Sequence, residues 1–155
     1  MSFEIRVPVP PLSRYVALLW HCKGYIAPHA FERVLPSGTV QLLIPLSDEP
    51  LSAYDCQNVR RHQTFRGPLV CGARSEFAVI DAASQRSILG VQFKAGGAFP
   101  LLGFPVSEMH NQHVPLEAAW GKQADELHHQ LLQARSASAR LRILEEELLQ
   151  RLYGA

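Results

Sequence analysis

The chain has 155 residues, of which 47% are hydrophobic and 19% are charged, and its formal net charge is +1 at pH 7. This length and composition are typical of one globular domain and exclude an intrinsically disordered chain. The near-zero net charge gives no electrostatic reason for the chain as a whole to bind nucleic acid or an anionic membrane.

The cysteines and the apolar runs indicate a cytoplasmic protein. Cys22, Cys56 and Cys71 are odd in number, lie far apart and form no C-x-x-C pair. This argues against a disulfide framework and against a zinc ribbon. The longest early apolar run, YVALLW at 15–20, is too short for a signal peptide or a membrane-spanning helix. We therefore expect no membrane partner.

Short β-strands are predicted over roughly the first hundred residues. PVPPL at 8–12 is an extended entry, and YVALLWHCKGY at 15–25 is a strand, or a short helix leading into one. FERVLPSGTVQLLIPL at 31–46 predicts two strands about the turn Pro36-Ser37-Gly38. Residues 47–67 are polar and rich in turn residues and give no clear pattern. Further strands are predicted in PLVCGAR at 68–74, EFAVIDA at 76–82 and RSILGVQFK at 86–94, a spacing that favours a sandwich or a barrel.

The stretch GVQFKAGGAFPLLGFP, at 90–105, predicts a turn from a strand into a short helix. Gly96 and Gly97 provide the conformational freedom to leave the strand. Lys94 beside a helix N-terminus could bind an anion. The spacing, however, matches neither G-x-G-x-x-G nor G-x-x-x-x-G-K-[ST]. We therefore favour a plain strand-to-helix corner over a phosphate site.

Helices are predicted after Pro115. The segment 115–134 has an apolar face, with Gly121 as a break, and the face consists of Leu116, Trp120, Leu127 and Leu131. Ser136 or Ser138 can cap the N-terminus of a final helix over 139–153.

The final helix has a leucine stripe that allows two interpretations. The stripe can pack against the domain's own core, or it can form a helix–helix seam between two copies of the chain. Ile143 lies off the stripe and favours the second interpretation. The candidate dimer interface is therefore Leu141, Ile143, Leu144, Leu148 and Leu152.

Five motifs, taken in order, resemble the N-terminal domain of one group of AraC-type bacterial transcription regulators. They are L-x-x-Y-V-x-x-x-W at 12–20, R-x-L-P-x-G at 33–38, F-R-G-P-x-x-x-G-x-R at 65–74, G-V-x-F-x-x-G-G-A-x-x-L-L-G-x-P at 90–105, and P-L-x-x-x-W-G at 115–121. The resemblance extends from about Pro8 to Tyr153. Ala95 is a small difference, because the group often has proline there.

The resemblance implies a cupin-like sensor barrel followed by helices that mediate dimerisation. We therefore predict an α+β fold: a cupin-like β-barrel or sandwich of short antiparallel strands, followed by C-terminal helices. The expected single domain, 1–155, has a sensor part at 1–113 and a dimerisation part at 114–155. The resemblance also implies a DNA-binding domain with two helix-turn-helix units, and the chain ends at Ala155 without such a pattern. We therefore expect a truncated or stand-alone sensor, forming a homodimer, that contacts DNA only through a domain absent from this chain.

A small-molecule effector is expected inside the barrel. Its candidate contacts are bulky, aromatic or hydrogen-bonding residues set among apolar strand positions: Trp20, Arg33, Gln41, Arg74, Gln92 and Phe93. For each of them, plain core packing is the alternative. Arg74 is the residue expected to hold an anionic effector.

No motif indicates catalysis. There is no G-x-S-x-G elbow, and LPSGT at 35–39 is typical of a hairpin turn. Glu108, His110 and His113 lie within six residues, but a cupin metal site normally uses an H-x-H pair, which the sequence lacks. We predict no enzyme, no metal and no cofactor. The alternatives are a small cupin-like enzyme with a metal at His110 and His113, and a ligand-free protein-interaction module.

Overall fold

The alternating apolar residues of the longer, N-terminal part of the chain form strands, and the periodic leucines near its end form helices. The computed structural model describes residues 1–26, 28–34, 38–47, 49–54, 60–82 and 86–154. The strands within these residues are β1 (Ser2–Arg6), β2 (Val16–Lys23), β3 (Phe31–Val34), β4 (Gln41–Pro45), β5 (Leu51–Tyr54), β6 (His62–Phe65), β7 (Leu69–Cys71), β8 (Ala78–Asp81), β9 (Ser87–Phe93) and β10 (His113–Pro115). The helices are α1 (Phe99–Leu102), α2 (Glu117–Trp120), α3 (Lys122–Gln133) and α4 (Ala137–Gly154), with short 3-10 helices at Leu12–Arg14 and Val106–Met109.

The described strands are divided between two sheets. The large sheet has six strands in the order β1-β2-β9-β4-β7-β10, and the small sheet has four in the order β3-β8-β5-β6. The strand pairs are antiparallel throughout both sheets. The predicted α+β fold, with short antiparallel strands followed by helices, is confirmed, and two such sheets are compatible with a sandwich or barrel.

The central strands of the large sheet are covered on both faces. Because side chains alternate along a strand, successive residues enter different cores. One core lies against the helices and includes Leu42, Ile44, Leu89, Val91 and Phe93 from the sheet. The other lies between the sheets and contains Leu51, Ala53, Phe65, Leu69, Ile80 and Ile88. Two separate apolar layers therefore hold the small sheet and the helices to the large sheet.

The predicted helical face of segment 115–134 is confirmed. Leu116, Trp120, Leu127 and Leu131 are all buried in the helix-side core. Gly121 has a φ of 60° and separates α2 from α3, as its position predicts. None of the helices in the described ranges is long and apolar enough to cross a membrane.

The leucine stripe of α4 packs into the chain's own core. Ser136 caps this helix, since its hydroxyl accepts a hydrogen bond from Ala139 N at 3.1 Å. Leu141, Leu144 and Leu148 are only 3%, 0% and 0% exposed, and Ile143 and Leu152 pack partly buried against the same core. The three leucines have no free surface to offer a second copy. The structure thus supports the first interpretation of the stripe, and not a dimer seam through these three side chains.

Two features of the β region differ from the predictions. The two strands expected to form a hairpin, β3 and β4, belong to different sheets, so the chain crosses between layers there. Residues 35–37 of the predicted turn lie outside the described residues. The unpredictable region 47–67 contains β5 and β6, which pair with each other in the small sheet.

The stretch at 90–105 forms the predicted corner. β9 ends at Phe93, Gly96 has a φ of 71°, and α1 begins at Phe99. Gly97 is required for close approach, because a Cβ there would lie 2.0 Å from the carbonyl oxygen of Tyr15. Lys94 is exposed to solvent.

Candidate ligand-binding site

A row of polar side chains crosses the large sheet on the face that looks toward the small sheet. Gln92 lies opposite Gln41, Gln41 opposite Cys71, and Cys71 opposite His113. Directly opposed residues in antiparallel strands share a face. The register of four strands therefore aligns two amides, a thiol and an imidazole.

A small cavity of about 60 Å³ lies at this row, between the two sheets. Its described lining is largely apolar and consists of Thr39, Gln41, Leu43, Leu51, Cys71, Gly72, Arg74, Ala78, Ile80 and His113. We call it the inner chamber. Its volume is that of about two water molecules, so by itself it holds only a small chemical group.

A wider cleft of about 360 Å³ adjoins the inner chamber. Its described lining is mostly polar and consists of Ala53, Tyr54, Arg61, His62, Gln63, Arg74, Glu76, Asn111, Gln112 and His113. We call it the outer cleft. Arg74 and His113 line both cavities, which places them where the chamber meets the cleft.

The guanidinium of Arg74 is only partly hydrogen-bonded. Its Nε donates to the backbone oxygen of Glu76 at 3.2 Å. Its Nη1 is buried and has no partner among the described residues. A buried donor left without an acceptor costs about 1–3 kcal/mol, and more when the group is charged. This nitrogen is the unsatisfied polar atom of the site.

The loop that carries Arg74 is clamped to the loop before β10. Gly72 N donates to the Gln112 oxygen at 2.9 Å, and a Cβ at Gly72 would lie 1.9 Å from the Met109 oxygen. Ser75 N donates to Oδ1 of Asn111 at 2.8 Å, and Nδ2 of Asn111 donates to Ser75 Oγ at 2.9 Å. The arginine is therefore held in place by its backbone, and it forms no ion pair with any residue that the structure describes.

The thiol and the imidazole beside Arg74 are both uncharged at neutral pH. Burial, and then the nearby charge of Arg74, lowers the pKa of His113 to about 4. Burial raises the pKa of Cys71 to about 12, although the Arg74 charge opposes this shift. A nucleophilic cysteine needs a thiolate, which this pair does not provide. Among the described residues lining the inner chamber, only Arg74 carries a charge, so the arrangement suits the binding of an anion.

The structure separates the sequence-predicted ligand residues into three groups. Gln41 and Arg74 line the inner chamber together, and Gln92 lies beside Gln41 on the same sheet face. Trp20 packs against the core between the sheets, with its indole over Gly90, where a Cβ would lie 2.1 Å from the ring.

Arg33 and Phe93 lie elsewhere. Arg33 is exposed on β3, with its guanidinium carbon 4.5 Å from the centre of the Phe77 ring. Phe93 is fully buried on the helix side of the large sheet. Neither residue belongs to the described lining of the chamber or the cleft.

Cys71 and His113 are the site residues that sequence reasoning missed. Cys71 lies in a predicted strand, and because side chains alternate along a strand, it is on the face opposite to that of the apolar Val70. The sequence points to His113 only as a metal ligand, together with Glu108 and His110. Its pairing opposite Cys71 joins segments far apart in sequence, which no local pattern reveals.

The three residues considered for a metal do not converge. His110 lies within 3.3 Å of Ser75 Oγ through its Nε2, while the His113 ring lies 6.1 Å from the ring of Phe65. Glu108 is exposed. Within the described part of the chain, no group of three or more His, Cys, Asp or Glu residues is placed to hold a metal ion.

A larger groove of about 710 Å³ lies among α1, α2, α3 and α4. Its arginine, Arg151, is already paired, because its Nε lies 3.1 Å from Glu147 Oε1 and its guanidinium lies 3.7 Å from the centre of the Trp120 ring. The described lining of the groove therefore contains no unsatisfied charged donor like the one at Arg74.

Comparison with known proteins identifies a family but no function. Residues 4–115 match a domain of unknown function, DUF6597, so the match begins within β1, extends to the end of β10 and ends before α2. No curated protein matches the chain. Since the matched part includes both sheets and the site between them, the chain belongs to the DUF6597 family.

Proposed function

We propose that this chain is the effector-sensing domain of a bacterial AraC-type transcription regulator, that it forms a homodimer in the cytoplasm, and that its effector is a small carboxylate bound at Arg74. The regulator role is supported by the five motifs that resemble sensor domains of that type. The effector role is supported by the site between the sheets.

The observation that carries the proposal is the unpaired Nη1 of Arg74. A guanidinium presents a planar fork of donors that matches the two oxygens of a carboxylate. Here one side of the fork is occupied by the Glu76 carbonyl, and the buried nitrogen is left for a ligand. A carboxylate at this point satisfies the donor and neutralises the charge in one step.

The surroundings of Arg74 define the size and polarity of the ligand. The outer cleft of about 360 Å³ is near the lower end of the range for small-molecule pockets, about 300 Å³. The cleft is rich in amides, with Gln63, Asn111 and Gln112 in its lining, whereas the chamber is mainly apolar. We therefore expect a short carboxylic acid with a polar body in the cleft and a small apolar group directed into the chamber.

Strands β4 and β2 of the large sheet connect the site to the helices. Gln41, at one end of β4, lines the chamber, and the backbone oxygen of Pro45, at the other end, lies 2.8 Å from Nε2 of the α3 residue His128. Arg140 of α4 lies 3.3 Å from Nε2 of His21 in β2. A ligand that fixes β4 can therefore bias the positions of α3 and α4, as a population shift requires.

The test is a thermal-shift screen of acetate, lactate, succinate, benzoate and inorganic phosphate against the wild type and Arg74→Ala. At least one small carboxylate should raise the melting temperature of the wild type. Arg74→Ala should weaken the binding of that carboxylate by about tenfold to a hundredfold. This is the contribution of one hydrogen bond to a charged group.

Arg33→Ala is the matched control, because Arg33 is an exposed arginine outside both cavities. It should leave carboxylate binding unchanged. Equal stabilisation of the wild type and Arg74→Ala by every anion would contradict the proposal. So would a loss of binding of the same size in both arginine variants.

A further inference from the structure

The first strand leaves one edge of the large sheet without a partner. β1 pairs with β2 and lies at the end of the strand order, so its outer edge is unpaired within the described residues. Phe3, Ile5 and Val7 are 54%, 56% and 69% exposed. An unpaired edge strand with exposed apolar side chains is a template for pairing with another strand.

The side chains of β1 are divided cleanly by face. Phe3 and Ile5 lie opposite Cys22 and Trp20, on the face of the sheet that looks toward the small sheet, and Val7 continues that alternation. The Phe3 ring stacks on Trp20, with ring centres 6.1 Å apart. Glu4 and Arg6 occupy the opposite face. Nη1 of Arg6 also lies 3.5 Å from Oε2 of Glu145 in α4 of the same chain, and the Arg6 side chain keeps 36% of its surface exposed.

We propose that β1 pairs antiparallel with β1 of a second copy of this chain, about a two-fold axis at Ile5, so that the two large sheets form one continuous sheet. In this register Glu4 of each copy lies opposite Arg6 of the other, and Phe3 lies opposite Val7. Ile5 lies opposite its own counterpart. Two Glu4–Arg6 pairs therefore form between the copies on one face of the sheet, and the apolar side chains meet on the other face.

The sequence of β1 favours this register over its two nearest neighbours. Opposed residues must share a face, so the two-fold axis moves by whole residues, and the neighbouring axes are at Glu4 and at Arg6. The first places two glutamates directly opposite each other and the second two arginines, and both arrangements are destabilising. Pro8, two residues after the end of β1, has no backbone N–H to donate, so the pairing does not extend beyond Val7.

The burial of the α4 leucines also favours β1 as the contact with a second copy of the chain. The leucines expected to form a helical seam are buried within one chain, whereas the apolar side chains of β1 are exposed. This inference rests on the homodimer of the proposed function but not on its effector.

The first experiment is sedimentation velocity on the wild type and Ile5→Lys. The wild type should sediment as a concentration-dependent dimer. Ile5→Lys should weaken dimerisation by about tenfold or more, because two like charges then meet at the centre of an apolar contact. Phe99→Lys is the control, since Phe99 is similarly exposed, at 52%, but lies on α1. It should leave the dimer intact.

A charge exchange tests the register and does not depend on the folding of Ile5→Lys. Glu4→Arg places an arginine opposite Arg6 of the second copy, and Arg6→Glu places two glutamates opposite each other, so each variant should be monomeric alone. Mixed together, the two variants should form a heterodimer, because both charge pairs are then complementary.

Each outcome decides a separate point. A monomeric wild type would overturn the homodimer and this interface, and would leave the carboxylate site to its own test. A wild-type dimer that survives Ile5→Lys would overturn only the interface. A mixture of the two charge variants that stays monomeric would overturn the register.

Discussion

Arg74 combines a rigid backbone with an incompletely satisfied side chain. The contacts of Gly72 and Ser75 with the loop before β10 fix its position, and the Glu76 carbonyl satisfies its Nε. Its buried Nη1 has no such partner among the described residues. Because an unsatisfied buried donor lowers stability, the arrangement is better suited to holding a ligand than to holding the fold together.

His113 makes the stability of the protein depend on pH in a defined window. Its pKa is about 4 in the folded chain and 6.5 when unperturbed, so the unfolded chain binds more protons between these values. The contribution of His113 to the free energy of unfolding should therefore be fully present above pH 6.5 and fall as the pH drops toward 4. This contribution amounts to about 3 kcal/mol at most.

Urea unfolding at several pH values, followed by circular dichroism, measures this effect. His113→Gln keeps a polar side chain of similar size but does not titrate. The variant should lose stability less steeply than the wild type between pH 6.5 and 4. Since His21 also has a lowered pKa, some slope should remain. Identical slopes in the two proteins would show that His113 does not titrate as its surroundings indicate.

At the scale of elements, α4 is a core helix of the chain that carries it. Leu144 is fully buried, so Leu144→Ala should lower the free energy of unfolding by about 3 kcal/mol. Leu144→Glu should unfold the protein and not produce folded monomers. Denaturant unfolding and sedimentation of the same samples distinguish these results.

Arg142→Ala is the matched control on the same helix, because Arg142 is exposed. It should change the free energy of unfolding by less than about 0.5 kcal/mol. Folded, stable monomers of Leu144→Glu would contradict the placement of this stripe in the chain's own core.

The elements that could be predicted are those with a regular local pattern. Strands β2, β7, β8 and β9 lie within predicted strand segments, and α2 and α3 are separated at Gly121. β5 and β6 were not predicted, because they are short and β6 has polar residues at 62–64. The predicted hairpin of β3 and β4 was wrong, because the two strands lie in different sheets. Turn-type residues between two strands indicate a change of direction but do not determine whether those strands pair.

The site was only partly predictable for a related reason. Arg74 and Gln41 were identified because polar side chains are unusual among apolar strand residues. Phe93 was assigned to the cavity although it faces the helices. Both faces of the central strands of the large sheet are buried, so alternation separates the two faces without revealing which of them lines a cavity. His113 could be identified as a site residue only from its pairing with Cys71, which is distant in the sequence.

At the scale of the molecule, the large sheet separates a ligand-sized opening from the helices. The inner chamber and outer cleft lie on the side of the small sheet, and the leucines of α3 and α4 cover the other side. The family match includes both sheets and ends before α2. Strand β4 contacts both sides, through Gln41 at the inner chamber and through Pro45 at α3.

The most direct test of the anion site is an NMR titration of the ¹⁵N-labelled wild type with the carboxylate that stabilises it most. We predict that the largest shifts fall on Arg74, Cys71 and His113, and that the Arg74 side-chain signals move on binding. Shifts centred on Lys94, or on Arg151 in the helical groove, with Arg74 unchanged, would contradict the central claim that this chain binds a small anion between its two sheets.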